Sequence, residues 1–212
     1  MKSLYFLLFF IFFYQNILAQ TQNICFADVK YYSVDLIDGP AGTSGSTYAW
    51  SVLQPSFAGT IVGKVTPTVT NANAITINWG ATVAGTYTLR VIETNNGCSA
   101  SPIDLTVIIN PLPATPIVTA FSTPICAGTD AKFTITGIAG LQVSYAINSG
   151  PTQTTTLDAT GNKTITITAA TASQTLVISQ VSNAICTLTA ITGLSANVIV
   201  NPLPVTSSIN FN

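Results

Sequence analysis

The sequence predicts an all-β protein made of two tandem β-sandwich modules. Three observations predict it. Apolar residues alternate with threonine and other polar residues at a period of two. No stretch of ten or more residues shows a helical period. Landmarks also recur: Ile24-Cys25 returns as Ile125-Cys126, and Asn110-Pro111-Leu112-Pro113 returns as Asn201-Pro202-Leu203-Pro204, offsets of 101 and 91 residues. Self-similarity near that interval is the mark of repeated modules.

The first segment reads as an export signal. Lys2 precedes an apolar run of 11 residues at 4–14, and Ile17-Leu18-Ala19 ends on a small residue. A basic start, a short apolar core and a small residue at the close describe a secretory signal peptide over 1–19, cleaved after Ala19. The run is too short to span a bilayer, which takes about 20 apolar residues. No cysteine directly follows Ala19, so a lipoprotein anchor is not indicated. The mature chain is expected to comprise residues 20–212, with no transmembrane segment and therefore soluble.

The strands come next. In the first module Ile75, Ile77 and Trp79 alternate with Thr76 and Asn78, and Ile103, Leu105, Val107 and Ile109 with Asp104, Thr106 and Ile108. In the second, Ile165 and Ile167 alternate with Thr164, Thr166 and Thr168, and Ala196, Val198 and Val200 with Ser195, Asn197 and Ile199. One apolar face per strand is the pattern of half-buried antiparallel sheet. The 33 threonines suit the other face, because β-branched side chains pack well on a pleated surface. Clusters such as Asp38-Gly39-Pro40-Ala41-Gly42 and Asn95-Asn96-Gly97 separate the runs as turns. About seven short strands in each 90 residues indicate a sandwich.

The Asn-Pro-Leu-Pro elements read as stiff linkers, since proline fixes φ and cannot continue a central strand. They divide the chain into module 1 at 20–113, module 2 at 114–204 and a tail at 205–212. The four cysteines fit this division. Cys25 and Cys126 lie early in their modules; Cys98 and Cys186 lie late, after turn residues. In an immunoglobulin-type sandwich the first strand starts at the end that carries the last hairpin, which predicts Cys25–Cys98 and Cys126–Cys186. Four cysteines allow three pairings, and the other two stay open. An exported chain meets an oxidising compartment, where such bridges form. Each would contribute about 4 kcal/mol by loss of chain entropy.

A set of residues in module 1 carries a family likeness. They are Ser46-Thr47-Tyr48-Ala49-Trp50-Ser51-Val52, Ala74-Ile75-Thr76-Ile77-Asn78-Trp79-Gly80, Gly85-Thr86-Tyr87-Thr88-Leu89-Arg90-Val91 and Glu93-Thr94-Asn95-Asn96-Gly97-Cys98. This module resembles the PKD-like, immunoglobulin-type modules repeated in secreted and surface proteins of Bacteroidota. Such modules occur in gliding-motility-associated adhesins and other cargo of type IX secretion. Module 2 resembles a companion repeat of the same proteins through Ile125-Cys126-Ala127-Gly128-Thr129, Val143-Ser144-Tyr145-Ala146-Ile147-Asn148-Ser149-Gly150 and Thr164-Ile165-Thr166-Ile167. The resemblance covers nearly all of 20–204 and implies tandem immunoglobulin-like (PKD-like) β-sandwich modules. Trp50, Trp79 and Tyr87 are expected to be core aromatics. Two departures limit the carry-over. Trp50 is followed by Ser51-Val52, without the Asp-bearing loop of typical PKD domains. The chain also ends eight residues past Pro204, without the sorting domain usual in type IX cargo.

The composition excludes several chemistries. Histidine is absent, so no histidine-based triad, metal site or general base can form. With 6 basic and 7 acidic residues and a net charge of −1, no phosphate-binding patch exists, so nucleic acid is not an expected partner. No zinc spacing, Ser-x-x-Lys pattern or nucleotide-binding glycine loop occurs. Asp35 and Asp38 form the closest carboxylate pair; they read as turn residues, or as a weak Ca²⁺ site completed by backbone carbonyls. Asp130 and Asp158 are single acids near turns and receive no role. No catalytic residue and no cofactor is expected.

The expectation is a secreted, non-enzymatic structural or interaction protein that serves adhesion, or spaces a bacterial cell-surface assembly. Its partners would be a protein or glycan at the surface, with pairing of an edge strand to another chain as one route. The alternatives are a periplasmic or outer-membrane accessory factor for adhesin export, and a carbohydrate-binding module. For the last, Tyr31, Tyr32 and Tyr145 are the aromatics left over from the assigned core.

Overall fold

The computed structural model describes residues 20–34, 45–63, 73–189 and 191–208. The signal peptide expected over 1–19, the turn at 38–42 and the last four residues of the tail lie outside the described residues. Everything regular in the described chain is strand.

The first half contains β1 (Thr21–Cys25), β2 (Val29–Ser33), β3 (Thr47–Val52), β4 (Thr60–Gly63), β5 (Ala74–Asn78), β6 (Gly85–Asn95), β7 (Cys98–Ser99) and β8 (Ile103–Asn110). One sheet has the order β1-β8-β6-β3, with the short β7 also on β6, and the other has the order β2-β5-β4. Strands β1 and β8 run parallel. The remaining pairs in this half are antiparallel. This is the immunoglobulin-like arrangement: β2, β5 and β4 stand in the places of B, E and D, and β3, β6 and β8 in those of C, F and G.

The second half contains β9 (Ile117–Phe121), β10 (Ile125–Cys126), β11 (Thr129–Thr136), β12 (Gln142–Ile147), β13 (Gln153–Thr156), β14 (Asn162–Ala170), β15 (Gln174–Ser182), β16 (Thr187–Leu188), β17 (Ser195–Val198) and β18 (Val200–Asn201). Its sheets are β14-β11-β9 and β13-β12-β15-β16, with β17 also on β15, and a small parallel pair β10-β18. The same two-layer plan is present, with β13 as an extra edge.

Strands β1 to β8 pair only among themselves, and β9 to β18 likewise. Each half also encloses its own core. In the first, Ile24, Ile75, Ile77, Leu89 and Val107 surround Trp79 and Tyr87. In the second, Ala131, Ile135, Val143, Leu176 and Ile178 surround Phe133. Full burial of each large side chain is worth roughly 1.5–3 kcal/mol.

Period-two patterning produces this directly. Along β6 the inward Tyr87, Leu89 and Val91 are buried. The outward Arg90 faces Asp104 in register across β6 and β8 and forms a two-pronged ion pair at 2.7 Å. Along β8 burial is graded. Val107 and Ile109 are enclosed, Leu105 is half-buried and Ile103 is 67% exposed, so the expected apolar face reaches the core only over its second half.

Candidate functional site

The residues with the most unusual placement lie where the halves meet. Because β1 runs parallel to β8, Cys25 comes to rest opposite Asn110 at the last position of both strands. A tight turn follows. The Cys25 amide donates to Asp28 Oδ2 (3.1 Å), the Asp28 amide donates to the Cys25 carbonyl (3.1 Å), and Ala27 adopts φ 65°. The Phe26 amide donates to the Asn110 carbonyl at 2.9 Å. The Asn110 side chain donates to Asn23 Oδ1 and to the Ile24 carbonyl, both at 3.2 Å. The end of this sheet is therefore fixed by backbone and side chain together. From it the chain leaves through Pro111-Leu112-Pro113, of which Leu112 is half-buried and Pro113 buried.

The second half meets this end with its β15–β16 hairpin. The Asn183 amide donates to the Cys186 carbonyl (3.0 Å), and Asn183 Oδ1 accepts from the amides of Ile185 (2.9 Å) and Cys186 (2.7 Å). An asparagine that satisfies backbone donors two and three residues on is a compact turn device. It holds Cys186, 1% exposed, against Cys25, and the two form a disulfide with Cα atoms 5.7 Å apart. The Ile185 carbonyl lies 3.6 Å from Cys25 Sγ, and the Asn110 carbonyl 3.9 Å from Cys186 Sγ.

This corrects both expected pairings, Cys25–Cys98 and Cys126–Cys186. The bridge joins residues 161 apart, across the Pro-rich segment, and Cys98 and Cys126 are free and exposed. The physical reason is strand direction. The expected pairing placed Cys25 near the start of the first strand, beside the last hairpin. It sits at the end of β1, and β1 runs with β8 away from the hairpin that carries Cys98. The turn signal in Ala27-Asp28, just after Cys25, was the sequence cue for a strand end.

The other candidate residues fall out as follows. Asp35 and Asp38 lie outside the described residues. Among the described residues no cluster of three or more histidine, cysteine, aspartate or glutamate side chains could hold a metal ion. Trp79 and Tyr87 are core residues as expected, and Trp50 is half-buried against the same core. Two of the three leftover tyrosines are core residues as well. Tyr32 is buried and accepts a hydrogen bond from the Trp79 indole N–H (3.2 Å); Tyr145 is buried and donates to Gln153 (3.1 Å). Burial raises the pKa of both phenols above the ordinary 10.0. Only Tyr31 of the three is exposed. Asp130 and Asp158 serve the backbone. Asp130 accepts from the Ala169 amide, and Asp158 Oδ1 accepts from the Thr160 hydroxyl and the amides of Thr160 and Asn162.

One open cleft lies beside the edge strand β1, with a volume of about 340 Å³ and a lining that includes Gln22, Tyr31, Tyr32 and Leu105. Gln22 Oε1 is buried there without a hydrogen-bond partner among the described residues. Across the outer face of β2-β5-β4, Tyr31, Thr76 and Val62 stand in one register row, with Tyr31 and Val62 more than half exposed. No described helix is long and apolar enough to cross a membrane.

No protein-family description matches the sequence, and no curated protein matches it. Solved structures do. A domain segment of titin is 10% identical with a TM-score of 0.41, over 85% of this chain and 62% of that one. The FN1–FN3 domains of chicken CNTN1 are 9% identical with a TM-score of 0.44, over 84% and 62%. The Yersinia pseudotuberculosis adhesin InvE is 16% identical with a TM-score of 0.29, over 85% and 56%. The chain thus spans less than two thirds of the length of each of these three.

Proposed function

We propose that this chain is a non-enzymatic structural and interaction protein, exported and working at a bacterial cell surface as a spacer or adhesion segment of a larger assembly. It comprises two modules, 20–113 and 114–204, and a tail at 205–212. The observation that carries the reading is the Cys25–Cys186 bridge between two separately cored halves. A Pro-rich link alone is a semi-rigid spacer. A second, covalent tie beside it removes the hinge, so the pair transmits force and holds its span as a unit. Disulfides persist in oxidising compartments, which supports export. The resemblance to PKD-like surface modules of Bacteroidota, including gliding-motility and type IX cargo, supports the address. Contacts would be made with a protein or glycan at the surface, through faces such as Tyr31-Thr76-Val62 or through a bare sheet edge.

The test is location. Intact producing cells are treated with protease, untreated cells are fractionated, and both are blotted for the chain. Removal by external protease is the expected result. Survival until the outer membrane is opened would reject the surface reading and favour a periplasmic accessory factor of adhesin export. The cleft at Gln22 and Tyr31 favours one secondary reading, glycan binding. Polysaccharide affinity that Tyr31→Ala abolishes would support it, and affinity unchanged by that substitution would reject it.

A further inference from the structure

The two unpaired cysteines occupy the same places in the repeat as the two that are bonded. Cys126 is the counterpart of Cys25. Each ends a short strand that runs parallel to the last strand of its half, and each is in register with the asparagine of an Asn-Pro-Leu-Pro element, Asn110 for Cys25 and Asn201 for Cys126. The next residue repeats one hydrogen bond: the Phe26 amide donates to the Asn110 carbonyl (2.9 Å), and the Ala127 amide to the Asn201 carbonyl (2.8 Å). Cys98 is the counterpart of Cys186. Both are the fourth residue of a hairpin turn opened by asparagine, Asn95 facing Cys98 in register and Asn183 bonded to Cys186.

The bonded pair therefore consists of one strand-end cysteine and one hairpin cysteine, and so does the unbonded pair. Burial tells the same story independently. In the occupied joint Leu112 is half-buried, Pro113 is buried and Cys186 is 1% exposed. Their counterparts are open: Leu203 is 62% exposed, and Pro204 and Cys98 are exposed. One end of the chain presents the strand-end half of a joint and the other presents the hairpin half.

We propose that the chain joins to a second copy of itself head to tail, through a disulfide between Cys126 of one copy and Cys98 of the next. The new joint repeats the Cys25–Cys186 joint already present inside each copy. Its chemistry is thiol–disulfide exchange with an oxidant disulfide, either a low-molecular-weight one or that of a thiol oxidoreductase. One cysteine thiolate attacks the oxidant and releases a thiol. The second cysteine displaces the mixed disulfide and releases the other. Two cysteine thiols lose two protons and two electrons, and the oxidant is reduced to two thiols. Because each copy carries one half-joint of each kind, the reaction extends into a polar filament and does not stop at a symmetric dimer.

The experiment uses the full chain, purified after export and incubated with oxidised glutathione as a mixture of unlabelled and ¹⁵N-labelled protein. The expected result is a ladder on non-reducing gels that thiol reductant collapses. Peptide mapping should give a Cys98–Cys126 linkage of mixed label, with Cys25–Cys186 retained. Mixing the Cys98→Ser and Cys126→Ser variants should give a dimer and nothing longer, while each variant alone loses the ladder. A chain that stays monomeric, a Cys98–Cys126 peptide of single label only, or links of Cys98 to Cys98 or Cys126 to Cys126 in place of the mixed one would overturn the proposal. The readout is made on purified protein and does not depend on cellular address. A monomeric result leaves the spacer reading standing, and a periplasmic address leaves the joint standing.

Discussion

Trp79 sits at the centre of the first half's core. It is 0% exposed, it packs edge-on against Phe57 (5.4 Å between ring centres) and Tyr87 (5.7 Å), and its N–H donates to Tyr32. Trp79→Ala is expected to cost about 3–5 kcal/mol in urea unfolding, the range for emptying a large buried aromatic site. Trp79→Phe should cost less, because a phenyl ring keeps part of the aromatic packing, though it loses the five-membered ring and the donor to Tyr32. Asp158 makes a statement about acid. Its carboxyl is held below the ordinary 3.8 by the Thr160 hydroxyl first, then by the Asn162 and Thr160 amides. A depressed carboxylate pKa gives stability that is complete above the unfolded value and disappears as pH falls through the folded one. Asp104 behaves likewise, chiefly through Arg90. Both should titrate below 3.8 by NMR, and Asp158→Asn should flatten the acid limb of the stability curve. A normal titration of Asp158 would contradict its place in the turn.

Turns decide how well the strands close. Gly97, in the β6–β7 hairpin, has φ +81° with open space around a would-be Cβ. Gly161, between Asp158 and β14, has φ +77°, and a Cβ there would overlap the Gly137 carbonyl oxygen, a backbone atom. Left-handed backbone alone costs a side chain roughly 1–2 kcal/mol. Gly97→Ala should therefore cost about that much, and Gly161→Ala distinctly more, because the Gly137–Gly161 backbone hydrogen bond at 2.8 Å must also shift. Chemical denaturation of the two variants side by side tests the ranking. Equal costs would mean that the 158–162 loop moves freely.

At the scale of the whole molecule the bridge between halves is the feature to perturb. It closes a span of 161 residues, for which chain entropy gives about 5 kcal/mol in the unfolded state. Each half has its own core, so the double variant Cys25→Ser, Cys186→Ser should keep its strand content by circular dichroism. Small-angle scattering should then report a broader spread of overall dimensions, because the Pro-rich link becomes the only tie. An unchanged scattering profile would show that packing at the joint is sufficient without the disulfide.

The sequence by itself determined the class of this protein. Period-two patterning in 75–79, 103–109 and 164–168 marked segments that lie on β5, β8 and β14, because pleated geometry exposes every second side chain to one face. The Asn95-Asn96-Gly97 turn and the core roles of Trp79 and Tyr87 were equally legible, since turn chemistry and aromatic burial are local preferences. The cysteine pairing was not. Which cysteines meet depends on the direction of β1 against β8, and on which end of one half abuts the other. Period two is the same in either direction, so it carries no such information. The inward fate of Tyr32 and Tyr145 was hidden for the same reason: whether a tyrosine on an alternating strand faces core or solvent follows from register and from the sheet packed against it. Tertiary structure decided those points, and with them the joint between the halves and the two unpaired cysteines left at its repeat positions.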